Sequence, residues 1–208
     1  MYRQVKTTPR KRPRQARSRA TVDTILAAAA RILVRRGFDG FTTNEVAEVA
    51  GVSIGSLYQY FPNKEAVVAA LIEQHVEDMN AAILSELTRV AQLPMSEAVR
   101  AVIELAISAH AIDPELHRVL TEQVPRVGRL AKLRELDAIS NRMVAGILAA
   151  RRAELAIRDP EVSAFVIVSA IEAIAHRAAL VSPDMLRDPR LVDEACALVT
   201  RYLGVADG

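Results

Sequence analysis

The segment from residue 42 to residue 64 constrains the fold most, because it predicts two very short helices joined by a tight turn. Thr42 and Glu45 have the spacing of a capping box, which indicates that the first helix begins here. Gly51 can adopt the left-handed conformation that ends a helix, and Ser53 can cap the next one. A helix, a short turn that contains glycine and a second helix make up the helix-turn-helix motif.

This segment has two interpretations. In a DNA-binding helix-turn-helix, the second helix enters the major groove and its N-terminal residues face the base edges. Similar turns occur in ordinary helical cores, where Tyr58 and Tyr60 would be half-buried spacers. Five of the eight aromatic residues lie between Phe38 and Phe61, more than a core of this size needs, which favours DNA binding. The residues expected to hold the motif together are Val46, Ala47, Val52, Leu57 and Phe61.

The free face of the predicted second helix is polar and suited to nucleic acid. Hydroxyl groups can donate to phosphate oxygens, and a glutamine amide can pair with adenine. Gly55 would let the start of the helix approach DNA closely. Gln59 is the only amide side chain on this helix, so we expect many phosphate contacts, few base contacts and a share of specificity from DNA shape. The candidates on this face are Gly55, Ser56, Tyr58, Gln59 and Tyr60.

The same residues resemble a known signature. The pattern consists of Thr42-Thr43, Val46-Ala47, Ala50-Gly51-Val52-Ser53, Gly55, Leu57-Tyr58, Tyr60-Phe61 and Asn63-Lys64-Glu65. It begins near Arg19, includes Ile25-Leu26-Ala27-Ala28-Ala29 and Gly37-Phe38, and extends to about Leu71. It closely resembles the DNA-binding signature of TetR-family transcriptional regulators. The DNA-contact positions that this resemblance implies are Thr43, Asn44, Ser53, Gly55, Ser56, Tyr58, Tyr60 and Lys64.

The chain begins with a strongly basic segment. Residues 1–19 contain eight basic and no acidic residues, although the net charge of the whole chain is only +2. Such blocks are usually disordered and often bind polyanions. A solvated tail, a vector-derived fragment and a misannotated start are the alternatives. Beside a helix-turn-helix, residues 1–18 are better interpreted as a flexible DNA-contacting arm, with contacts expected from Arg10, Lys11, Arg12 and Arg14.

The rest of the chain shows only helical periodicity, which predicts an all-α fold with about nine helices. The further helical segments are 22–36, 63–90, 96–112, 114–123, 126–156, 160–181 and 189–203. Aspartate–proline pairs that predict capped helix starts are Asp113-Pro114, Asp159-Pro160 and Asp188-Pro189, and the predicted breaks are Pro94, Pro125 and Pro183. We expect a three-helix DNA-binding domain at residues 19–65 and a helical ligand-binding and dimerisation domain at residues 66–208, which is the architecture of the TetR family.

The second domain is expected to form a homodimer. Residues 164–181 are apolar nearly all round, and such a helix must be buried on several sides. The family resemblance implies a four-helix bundle from the last two helices of each subunit. Two-fold symmetry would then match a palindromic DNA site. The expected interface residues are Phe165, Ile171, Ile174 and Val199.

The resemblance also implies a pocket for a small-molecule inducer between the middle helices. Polar groups stranded on apolar faces are the candidates. His110 could instead be a hydrogen-bonded core histidine, and Glu172 and His176 could pair with each other or across the dimer interface. Few aromatic residues lie in these helices, so we expect an aliphatic or flexible ligand. The candidate ligand-binding residues are His110, His117, Asn141, Glu172 and His176.

No catalytic pattern is evident, so we expect neither enzyme activity, nor a cofactor, nor a metal. Apart from Glu172 and His176, which are four residues apart, the histidines have no metal-ligand spacing, and no phosphate-binding loop or nucleophile elbow occurs. Cys196 is the only cysteine, which fits a reducing compartment. No signal peptide and no apolar run of ~18 residues is present, so we expect a cytoplasmic protein without a membrane partner.

These features predict a ligand-responsive transcriptional regulator. It would be a repressor that binds a palindromic operator in double-stranded DNA as a dimer and is released by an inducer. The alternatives are an architectural DNA-binding protein without sequence preference, a helical interaction protein and a TetR-like activator. A purely structural helical protein would not need the basic arm, whereas nothing in the sequence decides between repression and activation.

Overall fold

The computed structural model describes residues 16–127 and 131–205, which form nine α-helices and two 3-10 helices and contain no strand. The predicted all-α fold is therefore confirmed for this part of the chain. The α-helices are α1 (Ala16–Arg36), α2 (Thr43–Ala50), α3 (Ile54–Tyr60), α4 (Lys64–Val90), α5 (Met95–His110), α6 (Pro114–Val127), α7 (Ala131–Ala150), α8 (Pro160–Val181) and α9 (Pro189–Leu203). The 3-10 helices are Arg152–Glu154 and Pro183–Arg187.

Capping side chains fix the ends of α2 and α3. The Thr42 hydroxyl accepts a hydrogen bond from the backbone N–H of Glu45 at 3.2 Å, so α2 begins where the sequence predicts. Gly51 ends α2 in the left-handed conformation, with a φ of 66°. Ser53 Oγ then accepts from the N–H of Ser56 at 3.1 Å and caps α3. The predicted helix-turn-helix is confirmed.

The first compact unit contains α1, α2, α3, α4 as far as Val76, and nearly all of α6. Its core is formed by large apolar side chains that are at most 1% exposed, and burying one of them stabilises the fold by about 1.5–3 kcal/mol. These residues are Ile25, Ile32, Leu33, Phe41, Val46, Leu57, Phe61, Val67 and Val68. The carboxylate of Glu45 accepts from Arg35 and Arg36, both at 3.0 Å, and joins α2 to the end of α1.

The second compact unit contains residues 77–114 and the described residues from 132 onward. Its core is built from α5, α8 and α9, with Leu148 of α7 and the loop residues Leu155 and Ile157. The N–H of Ala156 donates to the carbonyl of Leu203 at 2.8 Å, which holds this loop against the end of α9. At Gly204, which has a φ of 69°, an added Cβ would lie 2.5 Å from Ala156 Cβ, so a larger residue cannot fit.

Several predicted helix boundaries are wrong. Helix α1 begins at Ala16 and not at residue 22, so the last three residues of the arm predicted at 1–18 are helical. Pro125 does not separate two helices, because it lies inside α6 and the helix continues to Val127. A proline so close to the C-terminal end removes one backbone hydrogen bond from a helix that is about to end, so the helix tolerates it. The helix predicted for residues 126–156 is shorter: α7 begins at Ala131 and ends at Ala150.

Helix α8 is long and apolar enough to cross a membrane by length and composition alone. No uninterrupted apolar run of this length occurs in the sequence, because Glu172 and Arg177 lie within the helix. The helix nevertheless has an average hydropathy high enough for a membrane span. One such helix is weak evidence for a membrane span, because core helices of soluble proteins satisfy the same criterion. Seven residues of α8 are buried against their own unit.

Candidate nucleic-acid interface

Helix α3 is divided into a buried and an exposed face. Leu57 is completely buried, while Ile54, Tyr58 and Gln59 are exposed. Gly55 is also exposed, and Ser56 and Tyr60 are half-buried. Every residue of α3 predicted to contact DNA therefore keeps some access to the surface, and Leu57 anchors the helix from behind.

The hydroxyls of Tyr58 and Thr43 lie 3.1 Å apart and share a hydrogen bond between α3 and the start of α2. Tyr58 is 40% exposed and Thr43 is half-buried, so both groups can still meet a phosphate oxygen. The bond restricts the rotation of the tyrosine side chain, so less conformational entropy would be lost if this face bound a ligand.

The Ser53 and Ser56 hydroxyls lie 2.8 Å apart, beside the N–H groups at the start of α3. Asn44 is exposed on α2. A Cβ added at Gly55 would have only Ser53 Oγ nearby, at 3.9 Å. The protein interior therefore does not demand glycine at position 55.

Lys64 has a partner that sequence reasoning missed. Its ammonium group donates to the carbonyl of Phe38 at 3.2 Å and lies 4.3 Å from the centroid of the Phe38 ring. It therefore joins the start of α4 to the segment after α1. An ammonium has three donors, so a phosphate contact is compatible with this bond. The arm residues Arg10, Lys11, Arg12 and Arg14 lie outside the described residues.

The candidate ligand-binding residues belong to different units. His110, Asn141, Glu172 and His176 lie in the second unit, whereas His117 lies in the first. His117 Nδ1 is 3.1 Å from Nε2 of His75, a buried residue on α4 that the sequence analysis did not select. Nothing in the spacing could have shown this pair, because 42 residues separate its members.

Burial and charge alter the titration of three of these side chains. Burial lowers the pKa of His110, whose Nδ1 lies 2.8 Å from the carbonyl oxygen of Ala106. Desolvation raises the pKa of Glu172, and the Asp137 carboxylate raises it further. Desolvation also lowers the pKa of His176, and His110 adds to this shift. All three shifts favour the uncharged form.

The predicted interface residues separate into two groups. Phe165 is 62% exposed and Ile174 is half-buried. Ile171 and Val199 are buried in the core of their own subunit, so we correct their assignment to an interface: they are not accessible to a partner. Five further large apolar residues of α8 and α9 are exposed and were not predicted, because a helix that is apolar nearly all round does not show which side faces outward. These are Val162, Val166 and Val181 of α8 and Leu198 and Tyr202 of α9.

Curated relatives resemble this chain over limited stretches. The uncharacterized HTH-type transcriptional regulator YvkB of Bacillus subtilis is 44% identical over 57 residues, which cover 27% of this chain and 30% of that protein. The HTH-type transcriptional repressor NemR of Escherichia coli is 38% identical over 55 residues, covering 26% and 28%. The HTH-type transcriptional regulator EthR of Mycolicibacterium smegmatis is 32% identical over 98 residues, covering 47% and 45%. The chain therefore spans less than half the length of these relatives.

Solved structures match the whole fold. A TetR-family regulatory protein from Rhodococcus RHA1 has a TM-score of 0.69 at 20% identity, covering 90% of this chain and 98% of that one. SmeT, the repressor of the multidrug efflux pump SmeDEF of Stenotrophomonas maltophilia, has a TM-score of 0.67 at 23% identity, covering 92% and 93%. At such identities the likeness establishes the fold alone.

Two family models account for most of the sequence. Residues 25–71 match the model of bacterial regulatory proteins of the tetR family. Residues 94–203, more than half of the chain, match the tetracyclin repressor-like C-terminal domain. Together with the helix-turn-helix geometry, these matches show that the chain belongs to the TetR family of transcriptional regulators.

Proposed function

We propose that this regulator is a repressor that binds a palindromic operator as a homodimer and is released by a small-molecule ligand. The observation that carries the proposal is α3, a short capped helix with an exposed polar face whose Tyr58 hydroxyl is held by Thr43. Regulators of this family bind DNA operators, usually as dimers and with small-molecule ligands, and they are not enzymes. We further propose that this protein has no enzyme activity and acts in the cytoplasm.

DNA binding would rest mainly on phosphate contacts. The proposed contacts to the backbone are hydroxyls, the Lys64 ammonium and the basic arm, with Gln59 as the base-pairing side chain of α3. Phosphate contacts fix position and carry little sequence information by themselves. Part of the specificity would then come from DNA shape and deformability. The contacts proposed for DNA are Arg10, Lys11, Arg12, Arg14, Thr43, Asn44, Ser53, Gly55, Ser56, Tyr58, Gln59, Tyr60 and Lys64.

Dimerisation would use an apolar face of α8 and α9. We define this face by Val162, Phe165, Val166, Leu198 and Tyr202, which are 42–62% exposed. On α8 the exposed Ser169 and Ala173 continue the same helical stripe. Large apolar side chains left exposed together are typical of an interaction surface, and a second copy would cover them symmetrically.

Release from DNA would follow from ligand binding in the C-terminal domain. We propose a functional boundary near residue 65, with the arm at residues 1–18, of which residues 16–18 begin α1, the DNA-binding domain at 19–65 and the ligand-binding and dimerisation domain at 66–208. A ligand can shift the DNA-binding equilibrium only by its differential affinity for the two states. The proposed route is α4, a single helix whose residues belong to both compact units.

Selection of bound oligonucleotides from a random pool tests this proposal. We expect an enriched palindrome with half-sites about one helical turn apart or slightly more. Competition with random DNA at physiological salt should then show a preference of about 10³-fold or more for that site. A ratio near one would reject a sequence-specific regulator and favour architectural binding. A reporter that rises, instead of falling, when the protein is expressed would identify an activator.

A further inference from the structure

The first turn of α3 exposes a large apolar side chain. Ile54 is the first residue of the helix and is 39% exposed. Ser53 before it and Gly55 after it are exposed as well, and Ser56 is half-buried. Single exposed apolar residues are common on protein surfaces, but this one lies on the helix that we propose enters DNA.

The neighbours of Ile54 in this turn are small or already engaged. Ser53 Oγ accepts from the N–H of Ser56 at 3.1 Å and shares a hydrogen bond with Ser56 Oγ at 2.8 Å, so these hydroxyls serve to cap the helix. Gly55 has no side chain, and a Cβ placed there would meet only Ser53 Oγ, at 3.9 Å. Ile54 is therefore the only large side chain that residues 53–56 offer to a partner.

Ile54 shares its face of the helix with Tyr58. Residues four positions apart are neighbours on a helix surface, with about 5–6 Å between their Cβ atoms. Tyr58 is 40% exposed, and its hydroxyl is held by Thr43 at 3.1 Å. A phosphate contact of Tyr58 would fix the distance between α3 and the DNA backbone. Ile54 then lies one turn nearer the start of the helix, the part of a recognition helix that faces the base edges.

The chemistry of isoleucine limits what Ile54 can recognise on a base. Its side chain has neither a hydrogen-bond donor nor an acceptor, so it cannot pair with the polar groups of a base edge. The apolar group that a base presents in the major groove is the C5 methyl of thymine. Contact between the two removes apolar surface of both from water, which favours thymine over the other bases at that position.

We propose that Ile54 determines specificity by packing against the methyl group of a thymine in each half-site of the operator. This inference deepens the proposed function, on which it rests, by naming a base that the operator contains. It adds an apolar base contact to the hydrogen bonds proposed for Gln59. The contact requires a close approach of α3 to the bases, which the absence of a side chain at Gly55 permits.

Replacement of thymine by uracil tests this contact. Uracil pairs with adenine in the same way and lacks only the methyl group. In the operator obtained by selection, each thymine is replaced in turn at both symmetry-related positions, and affinity is measured by fluorescence anisotropy. At one such position we expect the binding of the parent to weaken by about fourfold for each lost methyl contact, and thus by about 15-fold for the symmetric pair.

The variant Ile54→Ala decides the outcome, because its side chain is too short to reach the methyl group. Uracil at the sensitive position should then weaken its binding little or not at all. Ile54→Val keeps a branched apolar side chain and should retain part of the penalty. The matched control is Ile112→Ala, which removes an exposed isoleucine of the second unit and should show the same penalties as the parent. Thermal unfolding of each variant verifies that it folds.

A full uracil penalty at every thymine in Ile54→Ala would overturn the contact. A selected operator in which no thymine-to-uracil replacement weakens the binding of the parent would overturn it too. Both results leave the proposed function standing, because the protein still prefers its palindrome over random DNA. Absence of any enriched site would overturn the proposed function, and the thymine contact with it.

Discussion

At the scale of single residues, Tyr58 combines a fixed position with an exposed hydroxyl. The hydrogen bond to Thr43 holds the ring, and the ring remains 40% exposed above α3. We expect Tyr58→Ala to abolish tight operator binding while the fold and the dimer stay intact. Tyr58→Phe should cost about 1.5–3 kcal/mol of binding free energy, because it removes only a hydroxyl donor to a charged phosphate. Fluorescence anisotropy with a labelled operator measures both effects.

Ser108→Ala is the control for the loss of an exposed hydroxyl. Ser108 lies on α5 in the second unit, and its hydroxyl donates to the carbonyl of Leu105 at 3.1 Å. This variant should keep the operator affinity of the parent. Parent-like affinity in Tyr58→Ala would instead remove Tyr58 from the DNA interface.

Gly55 offers a second test at this scale, because the protein itself has room for a side chain there. Gly55→Ala should leave the fold unchanged and raise the free energy of unfolding by up to about 1 kcal/mol, since alanine favours a helix. Operator affinity should nevertheless fall, because the new methyl group occupies the space where the start of α3 approaches DNA. Thermal unfolding and operator titration on the same samples separate the two effects.

Gly146→Ala in α7 provides the comparison for Gly55→Ala. Gly146 is exposed, and a Cβ added there would meet nothing within 4 Å. It should stabilise the helix and leave DNA binding unchanged. If both alanine variants bind the operator like the parent, the close approach at Gly55 is refuted.

At the scale of helices, the features that depend on residues close together in the sequence could be predicted, and those that depend on tertiary packing could not. The caps at Thr42 and Ser53 and the end at Gly51 involve neighbouring residues, so the sequence showed them. The orientation of α8 depends on which side packs against its own subunit, and a helix that is apolar all round does not encode it. For this reason Ile171 was assigned to the interface although the structure buries it. The Lys64–Phe38 contact depends on tertiary packing, which spacing does not reveal.

The apolar face of α8 and α9 leads to a prediction about assembly. Phe165→Glu would place a charge in the proposed dimer interface, where an unpaired buried charge costs about 3 kcal/mol or more. We expect a shift from dimer to monomer at micromolar concentration, visible by sedimentation velocity, with the helical content unchanged. Weakened operator binding should follow, because a monomer meets only one half-site.

Ile112→Glu is the control for a charge at an exposed apolar position. Ile112 is 63% exposed in the segment between α5 and α6 and is not one of the residues that define the proposed face. It should leave the oligomeric state unchanged. A parent chain that sediments as a monomer at micromolar concentration, or a Phe165→Glu variant that remains dimeric, would contradict the proposed interface.

At the scale of the whole molecule, charge is distributed very unevenly along the chain. The arm, residues 1–18, holds seven basic residues and no acid, whereas the net charge of the entire protein is only +2. A helix-turn-helix with few base-pairing groups gains most from such an arm, because phosphate contacts release counterions from DNA and supply affinity without sequence information. We therefore propose that the arm mainly supplies affinity for DNA, and that α3 mainly fixes the position of the protein on the DNA.

Truncation to Ser18 tests this division. If Arg10, Lys11, Arg12 and Arg14 all contact phosphates, the dependence of log affinity on log salt should become less steep by about 3–4 for each bound arm, at roughly 0.9 per contact. Affinity at low salt should fall most, while thermal unfolding and dimerisation remain those of the full chain. Anisotropy titrations at several salt concentrations give both quantities. An unchanged affinity with an unchanged salt slope would show that the arm does not contact DNA.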